Sequence, residues 1–209
     1  RDFQSFASGS WGNFMGKTKL ETADFSPHAV LKKATGTWKN SLTIGFDLHD
    51  VKEDIANDST FFGARSLKDY TLRKEGRGYY IHDEITILKN LVFSGGYRHD
   101  RAEFIYEPGT PDSVTVDEKA YTAGLNYTYS GKSYLYASYT KGFRYPVLDE
   151  FFSFFTNTVD GKLMPQQSDD YEFGFRHYLR DDSFAHLNFF HMDVQREIFF
   201  NPSTFSNEN

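Results

Sequence analysis

Cysteine is absent from the 209-residue chain, so disulfides and thiolate metal sites are excluded and the redox compartment stays open. Long apolar runs are absent too, and the mean hydropathy is -0.59. That rules out a membrane helix, which needs eighteen or so consecutive apolar residues, but not a spanning strand, which needs only about ten alternating ones. Positive charge is in the minority, with 23 Lys and Arg against 29 Asp and Glu and a net charge of -6. The chain therefore lacks the basic footprint of a nucleic-acid-binding protein, and no nucleic-acid partner is expected. The opening residues, RDFQSFASGS, have neither the basic nor the apolar region of a signal peptide and no start methionine. Both ends are expected to be cuts through a longer protein.

Aromatic residues are abundant instead: 22 Phe and 14 Tyr in a chain only 39% hydrophobic. Many aromatics in a polar sequence fit strands with one wet face. The clearest stretch lies between Tyr121 and Arg144. On its first arm Tyr121, Ala123, Leu125, Tyr127 and Tyr129 share one face, and Thr122, Gly124, Asn126 and Thr128 share the other. This is the period-2 pattern of a half-apolar strand, and Ser130-Gly131-Lys132 is a tight-turn signal between the two arms. Leu42, Ile44, Phe46 and Leu48 alternate in the same way with Thr43, Gly45, Asp47 and His49.

The pattern predicts an all-β, antiparallel up-and-down meander of about eight strands. They lie roughly at 28–38, 41–49, 79–88, 91–104, 120–129, 133–144, 169–178 and 184–198. Residues 1–27 read as loop with one fraying strand, and no segment reads as helix. Short turns are expected near 39, 89, 131 and 181. The charged stretch 50–78 and the segments 107–119 and 145–168 read as long connections, well above the usual hairpin length. In a meander this puts every short turn on one rim and every long connection on the other, as in outer-membrane barrels. Trp38, Tyr127, Tyr129, Tyr134, Tyr136 and Tyr178 lie close to the short turns, where an interfacial aromatic girdle would run.

Five short motifs add a resemblance. Ser138-Tyr139-Thr140-Lys141-Gly142-Phe143-Arg144-Tyr145-Pro146, with Glu150 just after, is followed by Leu163-Met164-Pro165-Gln166 and by Tyr171-Glu172-Phe173-Gly174-Phe175-Arg176. Upstream stand Tyr80 to Glu84 and Gly96-Tyr97-Arg98-His99-Asp100. In this order the motifs resemble the barrel of TonB-dependent outer-membrane receptors, over roughly residues 28–200; Gln166 replaces the family's usual Glu. The resemblance implies that residues 1–209 are a portion of a larger barrel, of about 22 strands with a plugged lumen. The plug, the segment that engages TonB and the closing C-terminal strand would lie outside it.

The residues suggest candidate sites, each with a plainer alternative. The cluster Phe151, Phe152, Phe154 and Phe155 either stacks on a ligand from an extracellular loop or packs the loop on itself. In the charged run, Arg73 and Arg77, with Lys74, either attract an anionic chelate or are simply solvated. Gly142-Phe143-Arg144-Tyr145-Pro146 is read at the loop base, for substrate binding or for architecture, with Arg144 facing the lumen or a plug. Glu172 and Arg176 share one polar face, toward a plug or toward each other. Asp149 and Glu150 are adjacent and would point to opposite sides of a strand, so no acid–base pair is expected. His186 and His191 differ by an odd number and would likewise diverge. No catalytic residue, metal site or resident cofactor is assigned.

The resemblance implies an energy-coupled receptor in the outer membrane of a Gram-negative bacterium, not an enzyme. Its partners would be TonB, outer-membrane lipid and a scarce ligand, most commonly a ferric siderophore. The residues alone leave a second reading open, a soluble β-rich module that binds carbohydrate or another ligand through exposed Tyr and Phe. A hydrolase on a β scaffold has no nucleophile motif to support it.

Overall fold

In the computed structural model, which describes residues 1–10, 12–109, 111–153 and 158–209, the chain runs up and down as an antiparallel sheet. Its first strands are β1 (Asp2–Gly9), β2 (Gly12–Phe25), β3 (His28–Thr35), β4 (Trp38–Phe61), β5 (Ala64–Leu88), β6 (Leu91–Glu107), β7 (Ser113–Ser130) and β8 (Ser133–Arg144). A 3-10 turn, Leu148–Phe151, and a short pair, β9 (Phe152–Ser153) and β10 (Thr158–Val159), interrupt the meander. It resumes with β11 (Gln166–Tyr178) and β12 (Phe184–Gln195), followed by a small hairpin of β13 (Phe199–Asn201) and β14 (Ser206–Glu208).

The large sheet has ten strands in the order β1-β2-β4-β5-β6-β7-β8-β11-β12, with β3 also on β4. β2 and β3 form one ribbon: Phe25 faces Leu48 and His28 faces Gly45 without a change of register along β4. The break falls at Pro27, which has no N–H to donate, although its carbonyl accepts from the Phe46 N–H at 3.2 Å. The ten strands thus make nine ribbons in the expected meander.

One rim carries the short turns, at 36–37, 89–90, 131–132 and 179–183. The first of these sits earlier than the Lys39–Asn40 position expected from sequence, because Gly36 adopts a φ of +60° that a side chain would disfavour. The other rim differs more. Residues 50–78, expected as a loop, are strand on either side of a turn at Phe62–Gly63. The 107–119 connection shrinks to 108–112, and residues 1–27 form a hairpin, β1 with β2. Among the described residues, the stretch between β8 and β11 is the one that stays a long excursion, here called the 145–165 excursion. The asymmetry of the two rims therefore lies mainly in ribbons that extend far past one edge: β4 and β5, with 24 and 25 residues, are each about 80 Å long.

The polarity of the two faces explains why that extension escapes a simple alternation test. We call inner the face that the 145–165 excursion covers. Near the short-turn rim the outer positions of β4 are Leu42, Ile44, Phe46 and Leu48; Ile44 stays 45% exposed, against any two-layer soluble packing. Higher up, the outer positions of the same strand become Asp50, Lys52, Asp54 and Asp58, and the inner positions become Val51, Glu53 and Ile55. Apolarity switches sides partway along the ribbon. The outer charges are held across the strands: Arg73 donates two hydrogen bonds to Asp50 (3.2 and 2.5 Å), Arg65 pairs with Asp58 (2.7 Å), and the Thr71 hydroxyl donates to Asp54 (2.8 Å).

Two aromatic rows bound the apolar outer belt. At its upper edge Tyr79, Tyr97, Tyr121, Tyr139 and Tyr171 stand on successive strands, with ring centroids 6.5 Å apart for Tyr79–Tyr97, 5.4 Å for Tyr97–Tyr121 and 5.0 Å for Tyr139–Tyr171. At its lower edge stand Trp38, Tyr127 and Tyr129, the last stacked on His177. Tyr121 to Tyr129 measures ~27 Å along β7, or ~20 Å for a ribbon tilted by ~40°. The expected lower girdle needs one correction. Tyr134 and Tyr136 face inward, because they are register partners of Arg176 and Gly174 on the inner face, and Tyr178 follows the same parity.

Candidate functional site

The inner face above the belt carries a small apolar core. Ile55, Tyr70, Leu72, Ala102, Phe104 and Tyr106 project from β4, β5 and β6, and Leu148, Phe151, Phe152 and Leu163 come down on them from the excursion. Phe151 packs its ring against Phe104 (5.1 Å) and Tyr106 (5.2 Å), and Phe152 packs against Tyr70 (5.0 Å). The excursion is tied at its base by Arg144, whose guanidinium donates to both oxygens of Glu150 at 3.1 Å while Glu150 also accepts the Val147 N–H at 2.9 Å. The β13–β14 hairpin braces its far side, with Ser153 Oγ donating to the Phe205 carbonyl (2.6 Å) and Asn207 Nδ2 to the Glu150 carbonyl (2.9 Å).

Beside this core lies a cavity of about 500 Å³. Phe3, Leu20, Val51 and Leu148 give it apolar walls, and His49, Glu53, Lys74, Tyr145 and Asp149 bring polar groups to it. A second cavity, about 290 Å³, shares His49, Lys74 and Tyr145 and reaches down to an ion-pair cluster in which Arg98 donates to Asp47 and Asp100. The Lys74 ammonium lies 4.5 Å from the centre of the Tyr145 ring and has no ion-pair partner among the described residues. Burial biases it toward the neutral amine. The Tyr145 hydroxyl is buried without a hydrogen-bond partner among the described residues, and burial raises its pKa, so it stays a donor. Glu53, only 7% exposed, has its carboxyl pushed up to about 7 by burial and, secondarily, by the charge of Asp149.

The structure distributes the residues singled out in the sequence as follows. Phe151 and Phe152 are buried at 2% and 4% exposure, so the packing alternative describes them: they anchor the excursion and are not free to stack on a ligand. Phe154 and Phe155 lie outside the described residues. Arg73 and Arg77 point to the outer face, since successive strand residues alternate and Lys74 between them points inward. Arg73 is held by Asp50 and Glu75 (3.0 Å to the latter), and the hydrogen bonds from Arg73 hold the Asp50 carboxyl below its usual range. The cation that lines the cavity is thus Lys74. Arg144, Glu172 and Arg176 share the inner face. Arg144 binds Glu150, Glu172 accepts from the Tyr136 hydroxyl (3.0 Å), and Arg176 lies over the rings of Phe184 (4.5 Å) and Tyr134 (5.9 Å), not on Glu172. His186 approaches Tyr136 on the inner face, and His191 approaches Tyr171 and Asp193 on the outer. Tyr145 belongs to the 142–146 segment read at the loop base, and it does line the cavity. Glu53 and His49 were not singled out as site residues; only their inward parity on β4, which continues above the belt, would have found them.

A meander with an apolar outer belt between two aromatic rows, and a polar inner face, is the wall of a transmembrane β-barrel. Across residues 2–209 the chain matches the family described as TonB dependent receptor-like, beta-barrel, and it belongs to that family. Members are transporters of the Gram-negative outer membrane and not enzymes, which places this chain in that membrane. Three solved structures share the fold. The ferric citrate transporter FecA, unliganded, superposes with a TM-score of 0.72 at 14% identity, over 98% of this chain and 32% of its own. The copper transporter OprC gives 0.71 at 14%, over 100% and 40%. The ferric yersiniabactin uptake receptor FyuA from Yersinia pestis gives 0.69 at 12%, over 92% and 31%. The chain spans about a third of the length of these structures. No curated protein matches it by sequence.

Proposed function

We propose that this chain is part of the barrel wall of a receptor that imports a scarce ligand across the outer membrane, driven through TonB, and that the ligand is a ferric siderophore or similar oxygen-rich chelate. The cavity beside the excursion carries the proposal. Its volume suits a small-molecule ligand, and its walls are mostly apolar. The Lys74 ammonium and the Tyr145 hydroxyl, neither with an ion-pair or hydrogen-bond partner among the described residues, are both donors suited to carboxylate, phenolate or hydroxamate oxygens. Of the structures that share the fold, FecA is named for ferric citrate, FyuA for ferric yersiniabactin and another for ferric preacinetobactin, while OprC is named for copper. Uptake would involve no covalent chemistry. TonB would act through a plug in the lumen, against which Arg144, Glu172 and Arg176 present their polar ends.

The test is calorimetry with the intact receptor in detergent against ferric citrate, a ferric hydroxamate, a ferric catecholate and a copper salt. Binding of one ferric chelate, weakened about tenfold or more by Lys74→Gln or Tyr145→Phe, supports the proposal; the loss of one charge-assisted hydrogen bond sets that scale. Binding of copper alone, or of a chelate indifferent to both substitutions, would refute the assignment of cargo or of cavity respectively.

A further inference from the structure

Glu53 is a buried acid to which the described residues offer no base. It is 7% exposed and lines the cavity of about 500 Å³, and its carboxyl has neither an ion-pair nor a hydrogen-bond partner among the described residues. Its register partners are Leu20 on β2 and Leu72 on β5, so the strands on either side give it nothing to bind. The charge that bears on it is a second carboxylate. Asp149 reaches the same cavity from the 3-10 turn, and its side chain is likewise without a partner among the described residues. Lys74 does not serve as the counter-ion. It is the register partner of Val51, one inward step below Glu53; its ammonium lies over the Tyr145 ring (4.5 Å), and the acid that bears on it is Asp100. The polar groups of the cavity are therefore segregated. Lys74 and Tyr145 form a donor end, Glu53 and Asp149 an acid end, and Leu20, Val51 and Leu148 give apolar walls between them.

A buried carboxyl without a donor is costly to keep. Burial and the charge of Asp149 push that of Glu53 up to about 7, a displacement that a cation beside it would reverse. We propose that the acid end is an ammonium-binding site. The cargo is then a ferric chelate whose oxygens meet Lys74 and Tyr145 and whose primary amine, on a methylene arm, meets Glu53 and Asp149. A primary ammonium has three donors and no acceptor, enough for both carboxyls, and charge-assisted bonds of this kind are the strong ones. The apolar walls suit the methylenes that carry it. A metal ion fits the acid end less well, because no group of three or more His, Asp or Glu side chains able to hold one occurs among the described residues. The proposal rests on the reading of this cavity as the chelate site and narrows the class of cargo.

The test is calorimetry at pH 7.5 on the intact receptor in detergent, with a ferric linear trihydroxamate that ends in a primary amine and with the same complex N-acetylated. The amine form is expected to bind about tenfold or more tightly, at the scale of one charge-assisted hydrogen bond. Glu53→Gln should abolish that preference and Asp149→Asn reduce it, while Arg65→Gln on the outer face leaves it unchanged. Heat-modifiability on a gel shows whether each variant has folded. A second arm needs no iron: hexylammonium, compared with hexanol, should raise the melting temperature of the native receptor and not that of Glu53→Gln. Equal binding of the two chelates by native receptor, which needs no variant, would overturn the ammonium site and leave the chelate reading standing. A preference for the amine that survives in folded Glu53→Gln would overturn it too. Binding of neither chelate together with the hexylammonium shift would sink the chelate reading and still support the ammonium site; absence of that shift as well would overturn both.

Discussion

Gly174 on β11 and Tyr136 on β8 are register partners on the inner face, and the tyrosine ring lies where a side chain at position 174 would begin: an added β-carbon would fall 2.5 Å from Cε1. Gly45 receives the Tyr80 ring in the same way, with an added β-carbon 2.5 Å from Cζ. A glycine weakens a strand by itself, and a ring laid across from the neighbouring strand restores the contact. The Tyr136 hydroxyl then reaches Glu172. Gly174→Ala must push the ring aside and break that bond, at a cost of about 1–3 kcal/mol. In a Tyr136→Ala background the same substitution should cost close to nothing. A double-mutant cycle on thermal unfolding of the detergent-solubilised receptor reads the difference; additive effects would show that the ring does not fill the glycine's space.

Glu53 makes the structure above the membrane sensitive to pH. Its carboxyl titrates near 7 in the folded protein against an ordinary value of 4.5. A folded pKa above the unfolded one means that ionisation opposes folding. The contribution is therefore fully favourable below about pH 4.5, declines as pH rises toward 7 and is lost above it, by about 3 kcal/mol in all. Of the cavity's other polar groups, Lys74 is displaced downward by burial and Asp149 carries the charge that pushes Glu53 further up. Glu53→Gln should flatten the fall in melting temperature between about pH 5 and pH 8. An unchanged slope would assign the sensitivity elsewhere.

The sequence made the membrane belt readable because lipid imposes one rule on every strand it touches. Leu42, Ile44, Phe46 and Leu48, or Leu125 and Tyr127, must be apolar outside, and alternation exposes them. Beyond the belt the rule lapses. Asp50, Lys52 and Asp54 look outward into water while Val51 and Ile55 look inward, so a scan tied to one phase registers a charged loop where 24-residue ribbons continue. Pairing such as Arg73 with Asp50 depends on register between strands, which local pattern does not encode. The cavity was hidden for the same reason: Lys74 and Glu53 meet it only once β4 and β5 are known to be strands. Phe151 and Phe152 looked available because a loop's own packing leaves no periodic mark.

The outer and inner faces of β7 give a direct check on the belt. Leu125 is an outer residue midway between the two aromatic rows, in register with Phe93 and Ala137, while Asn126 faces inward opposite Tyr136. Arginine at 125 would stand in hydrocarbon and should cost about 2–4 kcal/mol, whereas Asn126→Arg enters a polar lumen. Outer-membrane yield and heat-modifiability should fall sharply for Leu125→Arg and much less for Asn126→Arg. Equal losses would contradict the assignment of faces.

The excursion over the cavity is held by two separable devices, and their removal should be distinguishable. Phe151 fills the space between Phe104 and Tyr106, so Phe151→Ala leaves a cavity and should cost about 3–5 kcal/mol locally. Arg144 and Glu150 form a clamp that is partly exposed, so Arg144→Ala removes an interaction of only about 0.5–1 kcal/mol. Glu150 also caps the Val147 N–H, and Glu150→Ala should therefore do more than Arg144→Ala. Amide exchange across 145–153 is the measurement, since local opening reports the free energy of that segment and not of the barrel. The expected order of acceleration is Phe151→Ala, then Glu150→Ala, then Arg144→Ala, with β7 and β11 unaffected. If Arg144→Ala frees the segment as fully as Phe151→Ala does, the salt bridge and not the aromatic anchor closes the site.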